Sequence, residues 1–214
     1  MGKNYFLDGE DSQNNRSRQG KRRLANYDGC KFDLQDILPD LFVVFENAVR
    51  KTNDSLHQFS PTARARNLEP TILQTCFAEE LFEQFGYKAT HGKHMRIILR
   101  TDGYLILFKK LSNNGKPMNI KTKSVQNISN QNQTLSLFGT DVSDYEDEPI
   151  LHFGYKKNKF NKIVDPQLIY IDEGVVRFSI HQSEIVVPLE TIDEDNFPHI
   201  PQENIPRIRK SDEK

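Results

Sequence analysis

Residues 95–111, MRIILRTDGYLILFKKL, carry the strongest structural signal in this 214-residue chain. Two apolar runs flank an Asp-Gly dipeptide, which favours a tight hairpin turn because glycine tolerates positive φ. The second run, YLILF, has no polar side, and a strand of that kind lies inside a sheet with both faces covered. The stretch predicts two paired strands, the second of them central, with Lys109 and Lys110 where it ends.

Two helical patterns precede this hairpin. In residues 36–59, Asp40 can cap a helix, and the apolar residues after it follow helical spacing. Ser60-Pro61 offers the start of a second helix, which Pro70 either kinks or divides. In this second segment the apolar residues recur at intervals of four: Leu73, Phe77, Leu81 and Phe85.

The last third of the chain indicates further strands. The segments ILHFGY (150–155), QLIYID (167–172) and VVRFSIHQ (175–182) are short and apolar. Strict alternation in VVRFSI is typical of a half-exposed antiparallel strand. Together with the helices, these strands predict an α+β fold in which N-terminal helices pack on a mostly antiparallel sheet. Before them, residues from Thr122 to about Gln131 can form a short helix capped by that threonine.

The composition divides the chain into three parts. Residues 1–33 are polar and include RSRQGKRR at 16–23, which predicts a flexible basic arm that either touches nucleic acid or is only a solvated tail. Residues 34–188 hold the periodic apolar segments and predict a single α+β domain. Residues 189–214 are rich in proline and predict an extended tail. The mean hydropathy of −0.68 agrees with irregular polar ends around one core.

The cysteines and the apolar runs indicate a cellular location. Cys30 and Cys76 do not form a closely spaced framework, so we expect a reducing compartment and a cytoplasmic protein. Cys76 is more typical of a small core residue than of a nucleophile. The opening MGKNYFLDGED has no apolar segment, and no run of about 18 uncharged apolar residues occurs. We therefore expect neither secretion nor a membrane span.

One part of the chain is strongly basic. From Lys93 to Lys123 there are eight lysines or arginines and one acid, Asp102, although the net charge of the chain is −1. Lysines attract phosphate or carboxylate, and amide and hydroxyl groups add directed hydrogen bonds. We predict a surface that binds nucleic acid or an acidic protein partner, against the alternative of a solvated rim around a loop and a helix cap. The candidate binding residues are Lys109, Lys110, Asn119, Lys121, Thr122, Gln126 and Gln131.

A second interpretation is a metal-dependent nuclease of the PD-(D/E)xK type. That chemistry needs carboxylates around a divalent ion such as Mg²⁺, and a lysine beside the attacking water. Leu107 occupies the position where the pattern requires a second carboxylate, so a plain turn role for Asp102 competes with the catalytic one. The candidate catalytic residues are Asp102, Lys109 and Glu80, with Glu79 or Glu83 as substitutes for the last.

In the binding interpretation we expect no cofactor and no metal. His91 and His94 lie in an apparent loop without a neighbouring cysteine, which favours a surface pair over a zinc site. The chain has no GxxxxGK[ST] and no GxGxxG motif, so a glycine loop for nucleotide phosphates is not indicated.

The span from about residue 60 to residue 180 resembles a bacterial family without assigned activity. The elements that carry the resemblance are SPTARA (60–65), LILFKKL (105–111), Asn119 with Thr122, LSLFG (135–139) and GY (154–155). Members of that family are commonly encoded beside a helix-turn-helix regulator of the Xre type or an ImmA/IrrE-like zinc peptidase. The resemblance implies a bacterial toxin–antitoxin-like or phage-defence-like setting, with such a regulator or peptidase as a partner protein.

Overall fold

The structure is a computed structural model, and it describes residues 20–92, 95–101, 103–133 and 147–185. Within those ranges the chain forms α-helices and one sheet, so the architecture is α+β as predicted. The helices are α1 (Tyr27–Asp33), α2 (Leu38–His57), α3 (Leu68–Phe85) and α4 (Lys123–Ser129). The strands are β1 (Ala89–Gly92), β2 (Arg96–Thr101), β3 (Tyr104–Lys110), β4 (Ile150–Lys157), β5 (Ile163–Asp172) and β6 (Val175–His181).

The strands lie side by side in the order of the sequence, from β1 to β6. The predicted β2–β3 hairpin is confirmed: Thr101 pairs with Tyr104, and Gly103 has a φ of 91°. All neighbours are antiparallel except β3 and β4, which pair in parallel from Leu105 with Ile150 onward. Parallel pairing needs a long crossover, and residues 111–149 with α4 form the connection.

Helices α2 and α3 cover one face of the sheet. Their buried side chains join those of β2 to β6 in one core cluster. Aromatic rings form its centre: the Phe77 and Phe108 rings stack 4.0 Å apart, and Phe45 contacts Phe77, Phe108 and Phe153. This packing covers one side of YLILF, on which Tyr104, Ile106 and Phe108 face the helices.

Both predicted helix starts differ from the structure. Helix α2 begins at Leu38, with Pro39 in its first turn, so Asp40 lies inside the helix and does not cap it. Ser60-Pro61 starts a 3₁₀ turn, and α3 begins later, at Leu68. Pro70 therefore lies in the first turn of α3, where a missing N–H costs nothing, and it neither kinks nor divides the helix.

On the opposite face of the sheet, two described residues of the connection between β3 and β4 cover apolar side chains. Ile128 of α4 packs against Ile98, Leu105, Leu107 and Ile150. Leu111 packs against Ile169 and Ile171. Gln167, Ser179 and His181 also lie on this face, because they alternate with Leu168 and Ile180 of the helix-covered core.

Residues 20–33, which the sequence analysis assigned to a flexible arm, belong to the packed fold. Arg22 and Cys30 are buried, and the Arg22 main-chain N–H donates to the Gln131 carbonyl at 2.7 Å. Lys21 pairs with Asp172 and Glu173, so part of the basic run RSRQGKRR contacts the protein's own acids. Residues 1–19 and 189–214 lie outside the described ranges.

Among the helices that the structure describes, none is both long and apolar enough to cross a membrane.

Candidate functional site

Lys109 and Lys110 line a cleft of about 370 Å³ at the end of β3. Arg96, at the start of β2, lies in the same cleft. The volume is in the range of small-ligand sites. The other lining residues are Pro70, Leu73 and Gln74 from the start of α3, together with Met95, Ile97, Phe108, Met118 and Tyr155.

The described lining of the cleft is cationic and holds no counter-charge. Within the described part of the chain, no Asp or Glu lines the cleft, and Arg96, Lys109 and Lys110 form no ion pair. Burial, followed by the nearby charge of Arg96, lowers the pKa of Lys109. Burial also lowers the pKa of Arg96. An anion in the cleft would supply the missing charge and stabilise both cations.

His152 lies beside this cluster on the face opposite α2 and α3. It pairs with Leu107, two residues before Lys109 on β3, and alternate strand residues share a face. Its side chain is buried, and Nδ1 has no hydrogen-bond partner in the described part of the chain. Burial, then the charges of Lys109 and Arg96, lowers the pKa of His152 to about 3. The imidazole is therefore neutral at physiological pH.

Sequence reasoning found Lys109 and Lys110 but missed Arg96 and His152. Arg96 begins an apolar strand, and Ile98, two residues later, pairs with Leu107. Since Leu107 lies two residues before Lys109, this register places Arg96 near Lys109. A single sequence does not reveal the register. Alternation along the strand would have placed Arg96 on the face of Ile98, but not beside Lys109.

The predicted polar residues do not join the lysines. Lys121, Thr122 and Gln126 are exposed, Asn119 is partly buried, and none of them lines the cleft. Thr122 is a helix cap as predicted, because its Oγ1 accepts from the Val125 N–H at 3.2 Å. The single surface of lysines and amides expected from the sequence is therefore not formed.

Gln131 stabilises the fold and does not lie on a surface that a partner could contact. Its side chain is fully buried. Nε2 donates to the carbonyls of Ile150 at 2.9 Å and Ile171 at 2.7 Å, and Oε1 accepts from the Ile150 N–H at 2.9 Å. These bonds use both amide hydrogens and one lone pair of Oε1 inside the fold, so the prediction that Gln131 binds a partner is wrong.

Two of the candidate nuclease residues, Glu80 and Lys109, are not brought together. Glu80 contacts Lys51 at 2.5 Å and lines a groove between α2 and α3, whereas Lys109 lines the strand-end cleft. Asp102 lies outside the described ranges. No group of three or more His, Cys, Asp or Glu suited to a metal ion occurs among the described residues.

The remaining candidate groups have structural surroundings. His91 lies on β1, which the sequence did not predict, and its ring packs against Phe82 at 4.9 Å. His94 lies outside the described ranges. Cys30 is fully buried, and burial raises its pKa to about 12, so it is not a nucleophile. Cys76 packs against the main core.

No family model matches the chain, and no curated protein or solved structure shows significant similarity to it.

Proposed function

We propose that this protein is a binding component that holds a backbone phosphate of a nucleic acid in the cleft formed by Arg96, Lys109 and Lys110. One observation carries the proposal: three cations meet at one cleft, and no acid is among its described lining residues. A protein does not usually gather partly buried cations without a counter-charge, because each loses hydration and gains nothing in return. A bound phosphate would supply the counter-charge and accept charge-assisted hydrogen bonds from these cations.

The apolar rim of the cleft favours nucleic acid over an acidic peptide. Met95 and Met118 are 62% and 54% exposed although both line the cleft. Flexible, polarizable methionines beside a cation suit a base next to its phosphate, because every base has an apolar face. Carboxylates of an acidic partner would use the cations but not the methionines.

The proposal includes a regulatory role in a bacterial toxin–antitoxin-like or defence-like module. This part rests on the resemblance of residues 60–180 and not on the cleft. It makes an Xre-type regulator or an ImmA/IrrE-like peptidase the expected neighbouring protein. A cytoplasmic location is part of the same proposal and agrees with two cysteines that are not disulfide-bonded.

The test is equilibrium binding to a fluorescent single-stranded oligonucleotide of about 20 nucleotides, in EDTA, across a series of salt concentrations. Lys109→Met with Lys110→Met should weaken binding by about 10-fold or more. The slope of log K against log salt concentration should fall in magnitude by about 0.7–1.4, which corresponds to the loss of one to two phosphate contacts. The matched control is Lys121→Met with Lys123→Met, which removes two exposed lysines outside the cleft.

Equal affinity of the parent and the Lys109/Lys110 variant would refute the cleft as the binding site. Binding of polyglutamate but not of any oligonucleotide would keep the cleft and replace the partner class. Oligonucleotide cleavage in a parallel sample that contains Mg²⁺ in place of EDTA would instead revive the nuclease interpretation.

A further inference from the structure

Three side chains form a continuous chain of hydrogen bonds on the polar face of the sheet. Ser179 Oγ lies 3.2 Å from His181 Nε2, and His181 Nδ1 lies 3.0 Å from Asp165 Oδ1. The order hydroxyl, imidazole, carboxylate is that of nucleophile, base and orienting acid in serine hydrolases. These groups are recognised by geometry and roles, and they recur on unrelated folds.

The fold places these side chains together through strand register. Ser179 and His181 are two residues apart on β6, so both lie on the face opposite Ile180, which belongs to the helix-covered core. Gln167 of β5 pairs with His181, and Asp165 lies two residues before Gln167. The register of β4 and β5 shifts nearby, between Gly154 and Lys156.

Asp165 is held by more than its histidine. Lys156 Nζ and Gln167 Nε2 donate to its Oδ2 at 2.7 Å and 2.9 Å, which leaves Oδ1 for His181. Its φ is +53°, a left-handed conformation that is uncommon outside glycine. Such strained positions persist where surrounding contacts fix them, and they are frequent at functional sites.

The charge state of Asp165 suits an orienting role. Burial opposes ionisation, but the hydrogen bonds from Lys156 and His181 outweigh it and lower the pKa of Asp165. The Asp165 carboxylate at Nδ1 favours the tautomer with the proton on that nitrogen, and in that tautomer Nε2 accepts from Ser179 Oγ. The His181 main-chain N–H also donates to Glu184 Oε1 at 3.1 Å, and the Tyr27 hydroxyl contacts Glu184, so the histidine is fixed from two sides.

We infer that Ser179 is a nucleophile activated by His181, with Asp165 as a positioning residue, and that this site hydrolyses short-chain carboxylic esters. Ser179 is partly buried on a sheet face, which favours a small acyl group at Oγ. This activity is independent of the phosphate cleft, because Arg96, Lys109 and Lys110 take no part in the hydrogen-bond chain.

The reaction balances without any further reagent. Ser179 Oγ attacks the ester carbonyl carbon, and its proton passes to His181 Nε2. The bond from that carbon to the alkoxy oxygen breaks, and the alcohol leaves with the proton from His181. Water then attacks the acyl-Ser179, gives one proton to His181, and releases the carboxylic acid while Ser179 regains its proton.

The first experiment is covalent labelling of the full-length protein with a fluorophosphonate, read by intact mass and peptide mapping. An O–P bond forms at the serine, the P–F bond breaks, and fluoride leaves. A single adduct on Ser179 is expected in the parent, in Ser183→Ala and in Lys109→Met with Lys110→Met. No adduct is expected in Ser179→Ala. Ser183 is the matched control because it is an exposed serine four residues away.

The second experiment measures p-nitrophenyl acetate hydrolysis, with thermal melts of every variant. Ser179→Ala and His181→Gln should lose about 100-fold or more in rate. Asp165→Asn should lower kcat while KM changes by less than about twofold, because the wrong tautomer affects proton transfer and not substrate contact. A purely structural aspartate would change the melt and leave kcat of the folded fraction unaltered.

No adduct on the folded parent, or an adduct that persists in Ser179→Ala, would overturn the inference. The hydrogen-bond chain would then only join β5 to β6. Labelling that is retained in the Lys109/Lys110 variant, whether or not that variant binds oligonucleotide, separates this result from the test of the phosphate cleft.

Discussion

The side-chain amide of Gln131 pairs with both main-chain polar groups of Ile150, in the way that one strand pairs with another. Nε2 donates to the Ile150 carbonyl and Oε1 accepts from the Ile150 N–H, each at 2.9 Å. A further bond from Nε2 to the Ile171 carbonyl ties the end of α4 to both β4 and β5. This residue therefore fixes the long connection to the sheet on which the candidate sites lie.

We predict that Gln131→Leu lowers the free energy of unfolding by about 2–4 kcal/mol, because two buried carbonyls and one N–H lose their partner. The measurement is urea denaturation followed by circular dichroism. Gln126→Leu is the matched control, since Gln126 is an exposed amide on the same helix, and its effect should stay within about 0.5 kcal/mol. Equal effects of the two substitutions would show that the buried amide adds no stability.

Gly154 is predicted to tolerate no side chain. A Cβ there would clash with the Lys109 carbonyl oxygen and lie 2.7 Å from Leu111 Cγ. Gly154→Ala must push β4 away from β3, so we expect a loss of about 2–3 kcal/mol, close to the overpacking range. Gly174→Ala is the comparison: it meets nothing within 4 Å but has a φ of +69°, so only about 1 kcal/mol of backbone strain is expected. Equal losses would contradict the steric argument.

The sequence predicted those parts of the fold in which apolar residues repeat at a regular spacing over a short stretch of chain. The β2–β3 hairpin, the alternating strand β6 and the two long helices each have a repeating apolar pattern within about 20 residues. The parallel pairing of β3 with β4 has no such pattern, because it depends on how residues 111–149 cross the sheet. Helix starts were misplaced because proline and a capping residue mark several candidate positions and packing selects one of them.

The candidate sites were less predictable, since each depends on contacts between distant segments. Charge alone identified Lys109, but Arg96 and His152 join it only through strand register. Gln131 was misassigned because the residue type does not reveal whether an amide meets solvent or a main-chain pair. Ser179 and His181 lie two residues apart, and that spacing on a predicted strand was a usable signal that the two side chains share one face.

Arg22 provides a test of the finding that residues 20–33 belong to the fold. Its side chain is 1% exposed, and one guanidinium nitrogen donates to the Glu148 carbonyl at 3.0 Å. Arg22→Met should cost about 2–4 kcal/mol of unfolding free energy, because buried acceptors lose a charged donor. Arg50→Met, at an exposed position on α2, should cost less than about 0.5 kcal/mol. A flexible arm would give two equal, small effects in thermal or urea denaturation.

His152 is predicted to make the protein sensitive to moderate acid. Burial, with Lys109 and Arg96 nearby, lowers its pKa to about 3, whereas the unfolded side chain titrates near pH 6.5. Below about pH 6.5 the unfolded chain therefore binds a proton at His152 that the folded chain does not bind. The stability contribution is complete above that pH and is lost progressively as the pH falls towards 3. At pH 5 the expected loss relative to pH 7 is about 2 kcal/mol from this group.

His152→Leu should remove this loss, because leucine is close in volume and does not titrate. The measurement is the free energy of unfolding, from urea denaturation at pH 7 and pH 5. Subtracting the values of the variant from those of the parent cancels the contributions of the titratable groups that both proteins share. His57→Gln is the control, since His57 is exposed, and it should retain the parent's pH dependence. At pH 7 the leucine variant should be as stable as the parent or more stable, because Nδ1 of His152 has no partner in the described part of the chain. Parallel stability curves for the parent and His152→Leu between pH 7 and 5 would mean that the folded protein protonates His152 as readily as the unfolded chain does.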